Sequence, residues 1–293
     1  NNLTMTMNTV PHPLDTQYEY LSISTLKENK HVMVVALNRP RKRNAINSKM
    51  WKEIGSAFSQ IGTLGDACRA VLLMGAGKAF CGGIDISDPS FMIPSSEDDD
   101  VARRGMAFLP QILEMQACFT AVETCPVPVV CQIHGFCIGG GIDLASAADV
   151  RICDATATFS VKEVQLGLAA DVGTLQRFPK IVGHGSRVRE LCLTGATFDA
   201  AEAARIGFVS RISSQENDAI QVCCEIARHS PVAVAGTKKS LNYSRDHTVA
   251  EGLEHVALHN SLALMSTDLV ASFTAAASGM QPEFTDMTPH SRL

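Results

Sequence analysis

Short apolar runs, each closed by a turn signal, set the rhythm of this chain. His31 to Leu37 is a β-favouring run that stops at Asn38-Arg39-Pro40. Arg69 to Met74 is a second, closed by Gly75-Ala76-Gly77, and Pro128 to His134 a third, closed by Gly135. Val150 to Cys153 and Thr158 to Val161 read as two more strands. Between the first two runs the period changes. Asn47 is placed to cap a helix on which Met50, Ile54, Ala57, Phe58 and Ile61 share one face. Near-continuous apolar strands alternating with helices predict an α/β fold whose sheet is covered on both faces.

Further along, the pattern changes twice. Residues 86–105 carry Pro89, Pro94 and the acidic run Glu97 to Asp100, and read as an exposed insertion, with a metal-binding acidic patch as the minor alternative. From residue 197 the pattern is helical. Ala200 to Ile206 ends at Gly207, and Ile220, Cys223, Cys224 and Ala227 mark one helix face. Thr248 and Glu251 are spaced as a capping box. No linker separates these helices from the strands. The organisation expected is a loose arm over 1–20, an α/β core over 21–196, a docked helical region over 197–280 and a tail over 281–293.

Composition narrows the functional classes. The chain has 293 residues, 46% of them hydrophobic, which suffices for one large core or two smaller ones. Its 30 acidic residues outnumber 25 basic ones, the wrong balance for a nucleic-acid binder. No apolar run is long enough to span a bilayer. Ten cysteines lie scattered, several in apolar runs, as reduced buried thiols would. There is no GxGxxG after a strand and no P-loop, so neither phosphate-binding signature is present.

Candidate chemistry rests on three carboxylates in apolar company. Asp143 follows Gly139-Gly140-Gly141-Ile142, Glu163 sits in Val161 to Val164, and Asp171 in Ala169 to Gly173. Carboxylates in such surroundings are costly unless paired or functional, and burial raises their pKa. Two glycine turns, Gly82-Gly83 and Gly139-Gly140-Gly141, follow strands, where bare N–H groups can meet a developing oxyanion. Each acid also has a plain structural reading. Asp143 suits a helix N-terminus, Glu163 can pair with Lys162 or Arg177, and Asp171 can cap a helix starting near Val172-Gly173. Taken together, convergent acids beside glycine turns favour proton transfer next to a carbonyl. His255 and His259 lie one turn apart without the HExxH glutamate and read as a surface or interface pair. Ser146 and Ser160 have no evident His or Asp partners, so serine hydrolysis lacks support.

These segments resemble the enoyl-CoA hydratase/isomerase (crotonase) superfamily over roughly residues 20–280. The matching stretches are Asn38 to Asn47, Gly77 to Asp85, His134 to Asp149, Phe159 to Gly167 and Gly173 to Arg177. The resemblance implies a spiral of ββα units with a C-terminal helical trimerisation region, and a trimer or hexamer. It implies an acyl-CoA thioester as substrate, with no further cofactor and no metal. The backbone N–H groups of Ile84 and Gly140 match the family's oxyanion donors. CoA is expected along Arg41 to Ala45 and along Gly82, Gly83, Ile84, Asp85, Ile86 and Gly141.

Within the superfamily the acids set the reaction. Hydratases carry glutamates at the positions of Asp143 and Glu163, and usually glycine at that of Asp171. The aspartate at 143 and the added acid at 171 resemble instead the members that move a 3,5-diene to a 2,4-diene in an acyl-CoA. That reaction takes a proton from C2 and returns one at C6, positions too far apart for one acid to serve easily, through a trienolate held at its oxygen. Glu163 is expected at C2, Asp171 at C6, and Asp143 to tune the pair, with the first two roles open to exchange. A 2-enoyl-CoA hydratase and a non-catalytic binding protein of this fold are the alternatives. Ser291-Arg292-Leu293 resembles the peroxisomal Ser-Lys-Leu address, implying import-receptor recognition and a peroxisome or a related organelle.

Overall fold

The computed structural model describes residues 7–64, 68–91, 100–183, 185–215 and 217–287. The chain runs β1 (Thr9–Pro11), β2 (Leu21–Leu26), β3 (Val32–Leu37), α1 (Ser48–Thr63), β4 (Ala70–Gly75), α2 (Val101–Thr124), β5 (Val129–Ile133), β6 (Phe136–Ile138), α3 (Gly140–Ala147), β7 (Val150–Cys153) and β8 (Thr158–Ser160). It continues with α4 (Thr174–Ile181), α5 (Gly185–Thr194), β9 (Phe198–Asp199), α6 (Ala200–Arg205), β10 (Arg211–Ile212), α7 (Asp218–Ala227), α8 (Pro231–Asp246), α9 (Val249–Ala263) and α10 (Thr267–Ser278).

The larger sheet has the order β1-β2-β3-β4-β5-β7-β10, parallel from β3 onward. A smaller sheet has the order β6-β8-β9. Period-2 alternation splits the apolar strands between two faces. Val35, Leu37, Val71, Leu73, Val129 and Cys131 join α1, α2 and the small sheet in one cluster. Val32, Val34, Ala70, Leu72, Val130 and Ile152 meet Ala219, Ile220, Cys223 and Ala227 of α7 in another. The two-sided cover predicted from sequence is therefore present. Asn47 caps α1 by accepting Met50 N–H at 2.9 Å, and Thr248 with Glu251 closes a reciprocal box at α9.

Two expectations change. The described part of the N-terminal arm is not loose. β1 pairs antiparallel with β2, Leu14 is buried, and Asp15 Oδ1 accepts Ile23 N–H at 2.6 Å. This stretch is short and polar, and its order comes from pairing with β2, which no local pattern announces. The second change concerns 86–105. Residues 92–99, with Glu97 to Asp99, lie outside the described residues. Asp100 caps α2, and residues 101–105 form its first turn. Gly105 and Pro110 punctuate this helix in sequence, and its first half is largely exposed, so no apolar stripe marks it.

Candidate active site

Three short main-chain segments lie side by side and form the floor of the site. Ile46 bridges Ile84, and Cys81 bridges Cys137, both in parallel sense. Gly82 N–H donates to Arg43 C=O, Ile46 N–H to Gly83 C=O, and Asp85 N–H to Ile46 C=O, each at 2.8 Å. These bonds direct the Ile84 N–H away from Ile46. Gly140 opens α3, so its N–H has no intrahelical acceptor. A Cβ on Gly140 would lie 3.9 Å from Ile84 N. The two N–H groups named from sequence thus lie close together, with the positive end of α3 behind one of them.

Around this floor lies a cavity of about 1150 Å³, lined by Gly82, Gly83, Ile84, Ile86, Gly139 and Gly140 as well as by all three acids. Its far wall comes from α1 and α2, including Trp51, Phe108, Met115 and Cys118. Trp51 stacks on Phe119 at 4.5 Å and donates its indole N–H to Met115 C=O, which fixes the two helices against each other. Asp85 and Gly141 are not in the cavity lining. The Asp85 carboxylate turns to Arg39 at 2.9 Å and accepts from Ser87, bracing the turn, while Gly141 packs on Cys81.

The acids differ in environment. Asp143 is 1% exposed, in the first turn of α3, and its Oδ1 accepts Thr174 N–H at the start of α4. Its Oδ2 is buried without a partner among the described residues. Burial pushes its pKa up to about 7, against the hydrogen bonding from Thr174, and the charge of Glu163 adds to the rise. Glu163 is 9% exposed, at the start of a 3-10 turn over Glu163–Leu166. Burial raises its pKa, and the charge of Asp171 raises it further. Its Oε1 lies 3.1 Å from where a Cβ on Gly139 would sit, which a φ of +51° reserves for glycine. Asp171 is exposed at the cavity wall, and partial desolvation raises its pKa. Glu163 therefore stands electrostatically between the other two.

The structural readings of these acids mostly fall away. Arg177 pairs with Glu123 at 2.8 Å, not with Glu163. The cap residue of α4 is Gly173 and makes no side-chain cap, so Asp171 does not serve there. Asp143 does occupy a helix N-terminus, and it meets a second one at Thr174. His255 stacks on Tyr243 at 4.1 Å and His259 packs against Gly236, so both face α8, away from the acids. Sequence reasoning did not find Thr174, or the wall residues of α1 and α2. The wall residues carry no motif and reach the site only through packing, whereas Thr174 lies in the matching stretch Gly173 to Arg177 but its bond to Asp143 follows from the fold.

The sequence profile of the enoyl-CoA hydratase/isomerase family matches residues 27–284. The chain is 46% identical over 263 residues to a protein of Rattus norvegicus named "Delta(3,5)-Delta(2,4)-dienoyl-CoA isomerase, mitochondrial", covering 88% of this chain and 80% of the relative. It is 39% identical over 272 residues to the Arabidopsis thaliana protein named "Delta(3,5)-Delta(2,4)-dienoyl-CoA isomerase, peroxisomal", covering 91% and 97%. Its backbone resembles the crystal structure of enoyl-CoA hydratase from Bacillus anthracis with a TM-score of 0.80 at 27% identity, covering 91% of this chain and 99% of that one.

Proposed function

This chain belongs to the enoyl-CoA hydratase/isomerase family, and from that premise we propose that it converts 3,5-dienoyl-CoA to 2,4-dienoyl-CoA in fatty-acid oxidation. One observation carries the reading: Asp143, Glu163 and Asp171 line the same cavity as the paired N–H groups of Ile84 and Gly140. The thioester oxygen sits on those N–H groups, and removal of a C2 proton sends charge onto that oxygen, where the donors are already in place. Glu163 reaches the segment beside Gly139, next to the carbonyl, so it takes the C2 proton. Asp171, which shares the cavity with Met115 and Cys118 of α2 and is tied to that helix through its main chain, delivers a proton to C6. Asp143, with its pKa near 7, carries a proton through much of the neutral range and limits the negative charge around Glu163. One C–H bond breaks and another forms, so the reaction consumes no oxidant, reductant or further cofactor.

The exposed apolar residues Leu253, Leu258, Leu262 and Phe273 of α9 and α10 support assembly into a trimer or hexamer through the C-terminal helices. Among the described residues no helix is long and apolar enough to cross a membrane. Named relatives divide between mitochondrion and peroxisome. The relative named peroxisomal supports the peroxisome, with an import receptor as partner, and the Ser291-Arg292-Leu293 stretch lies outside the described residues.

The test is the absorbance change when purified protein meets a 3,5-dienoyl-CoA, beside Asp171→Asn and an assay of 2-enoyl-CoA hydration. Rapid growth of the 2,4-dienoyl chromophore, lost in Asp171→Asn, is the expected result. Fast hydration without isomerisation assigns the site to a hydratase, and neither activity assigns it to binding.

A further inference from the structure

Residues 171–174 are held at every step by groups outside the segment. Gln116 Nε2, on α2, donates to Asp171 C=O at 2.6 Å. Arg177 Nη1 donates to Val172 C=O at 3.3 Å. Gly173 has φ +132°, and a Cβ there would lie 1.8 Å from Arg177 Nη1, so the guanidinium packs directly on the turn. Thr174 N–H is taken by Asp143. Arg177 is itself fixed. Its Nε and Nη2 donate to Glu123 Oε2 at 3.0 and 2.8 Å, and Nη2 also donates to Thr120 at 3.1 Å. Glu123, Thr120 and Gln116 all belong to α2, the helix whose Met115 and Cys118 line the cavity.

We propose that Gln116 and Arg177 are positioning residues for the second proton transfer: they clamp the turn that aims Asp171 into the cavity and have little part in the first. The inference rests on the isomerase reading above. Asp171 sits at the surface of the cavity, so the direction of its carboxylate follows from the main chain that carries it. Glu163 is anchored elsewhere, after β8 and beside Gly139. Loosening the clamp therefore misplaces one acid and spares the other. The trienolate still forms, but its protonation at C6 slows. It then returns more often to the 3,5-diene by reprotonation at C2 from Glu163, whose proton exchanges with solvent.

The experiment runs the reaction in D2O and compares deuterium entering C2 of recovered 3,5-dienoyl-CoA with formation of 2,4-product. Gln116→Met keeps the length of the side chain and removes its donor at a partly exposed site. It is expected to lower kcat about tenfold to a hundredfold, as misplacement of a catalytic group by about 1 Å does. KM and Tm should stay near wild type, and exchange per turnover should rise by a similar factor. Arg177→Lys, which keeps the charge beside Glu123, should shift the same ratio in the same direction. Asp171→Asn sets the limit of exchange without product. A Gln116→Met enzyme with the wild-type ratio of exchange to turnover overturns the clamp. A wild-type enzyme that neither isomerises nor exchanges overturns the isomerase reading instead.

Discussion

Asp143 Oδ1 receives the main-chain N–H of Thr174 at 2.5 Å, joining the first turn of α3 to the first turn of α4, while its Oδ2 stays buried without a partner among the described residues. One hydrogen bond does not offset that burial, and the pKa rises to about 7 from an ordinary 3.8. The folded protein therefore holds a proton that the unfolded chain releases between those values, and stability from this group falls as pH rises from about 4 to about 7. Asp143→Asn removes the penalty. It should raise stability by a few kcal/mol at pH 8, since about three pKa units correspond to about 4 kcal/mol at most, with little effect at pH 4. Thermal melts across that range check the sign. A variant stabilised equally at pH 4 and pH 8 would refute the titration.

Glu163→Gln should abolish both proton transfers, because no trienolate forms without the first. A loss of about 10²- to 10⁴-fold in kcat is expected for a general base. Deuterium exchange at C2 separates this variant from Asp171→Asn: Glu163→Gln loses exchange together with turnover, and Asp171→Asn loses turnover alone. Exchange that survives in Glu163→Gln and vanishes in Asp171→Asn would reverse the two roles.

The glycine turns offer a test of the oxyanion pair that leaves the fold intact. A Cβ on Gly140 would meet the Ile84 side chain at 3.7 Å and Ile84 N at 3.9 Å, ordinary contact distances. Gly140→Ala should fold and melt near wild type, yet fill the space where the thioester oxygen sits. Loss of about 10²- to 10³-fold in kcat is expected, the cost of an oxyanion donor. Gly139→Ala differs. Its φ of +51° and the 3.1 Å approach to Glu163 Oε1 should cost about 1–3 kcal/mol in stability as well as displace the base. If Gly140→Ala kept full activity, the oxygen would have to bind elsewhere.

How far the sequence announces this site depends on how each residue arrives there. Gly82, Gly83, Gly139 and Gly140 follow strands in local motifs, and Asp143 and Glu163 stand out among apolar neighbours, so all were legible. Gln116 was not, and Thr174 was legible as part of the stretch Gly173 to Arg177 but not as the donor to Asp143. Gln116 is an ordinary polar residue on a helix interrupted by Gly105 and Pro110, and its role exists only because α2 crosses the Asp171 turn. Arg177 was legible as a cation near the acids but not as the partner of Glu123, 54 positions away in sequence. The same limit applies to β1, whose order comes from Leu26 and its neighbours across the sheet.

The pair of Arg177 and Glu123 also carries a stability prediction. Glu123 is buried and bound by Arg177 on α4 and Arg245 on α8. Burial alone would raise its pKa, but the two guanidinium groups outweigh burial and hold it below the usual 4.5. A depressed carboxylate contributes stability that is complete above its unfolded pKa and is lost as pH falls through the folded value. Glu123→Ala leaves two cations facing each other, one of them buried, and should cost about 3–5 kcal/mol at pH 7, the loss typical of breaking a buried pair. The difference from wild type should shrink as pH falls below about 4.5 and through the depressed folded value, where the wild-type carboxylate takes up its proton. Urea denaturation at pH 7 and at the lowest pH at which the protein stays folded measures both values. An equal loss at the two pH values would mean that Glu123 stabilises by packing alone, with its charge contributing nothing.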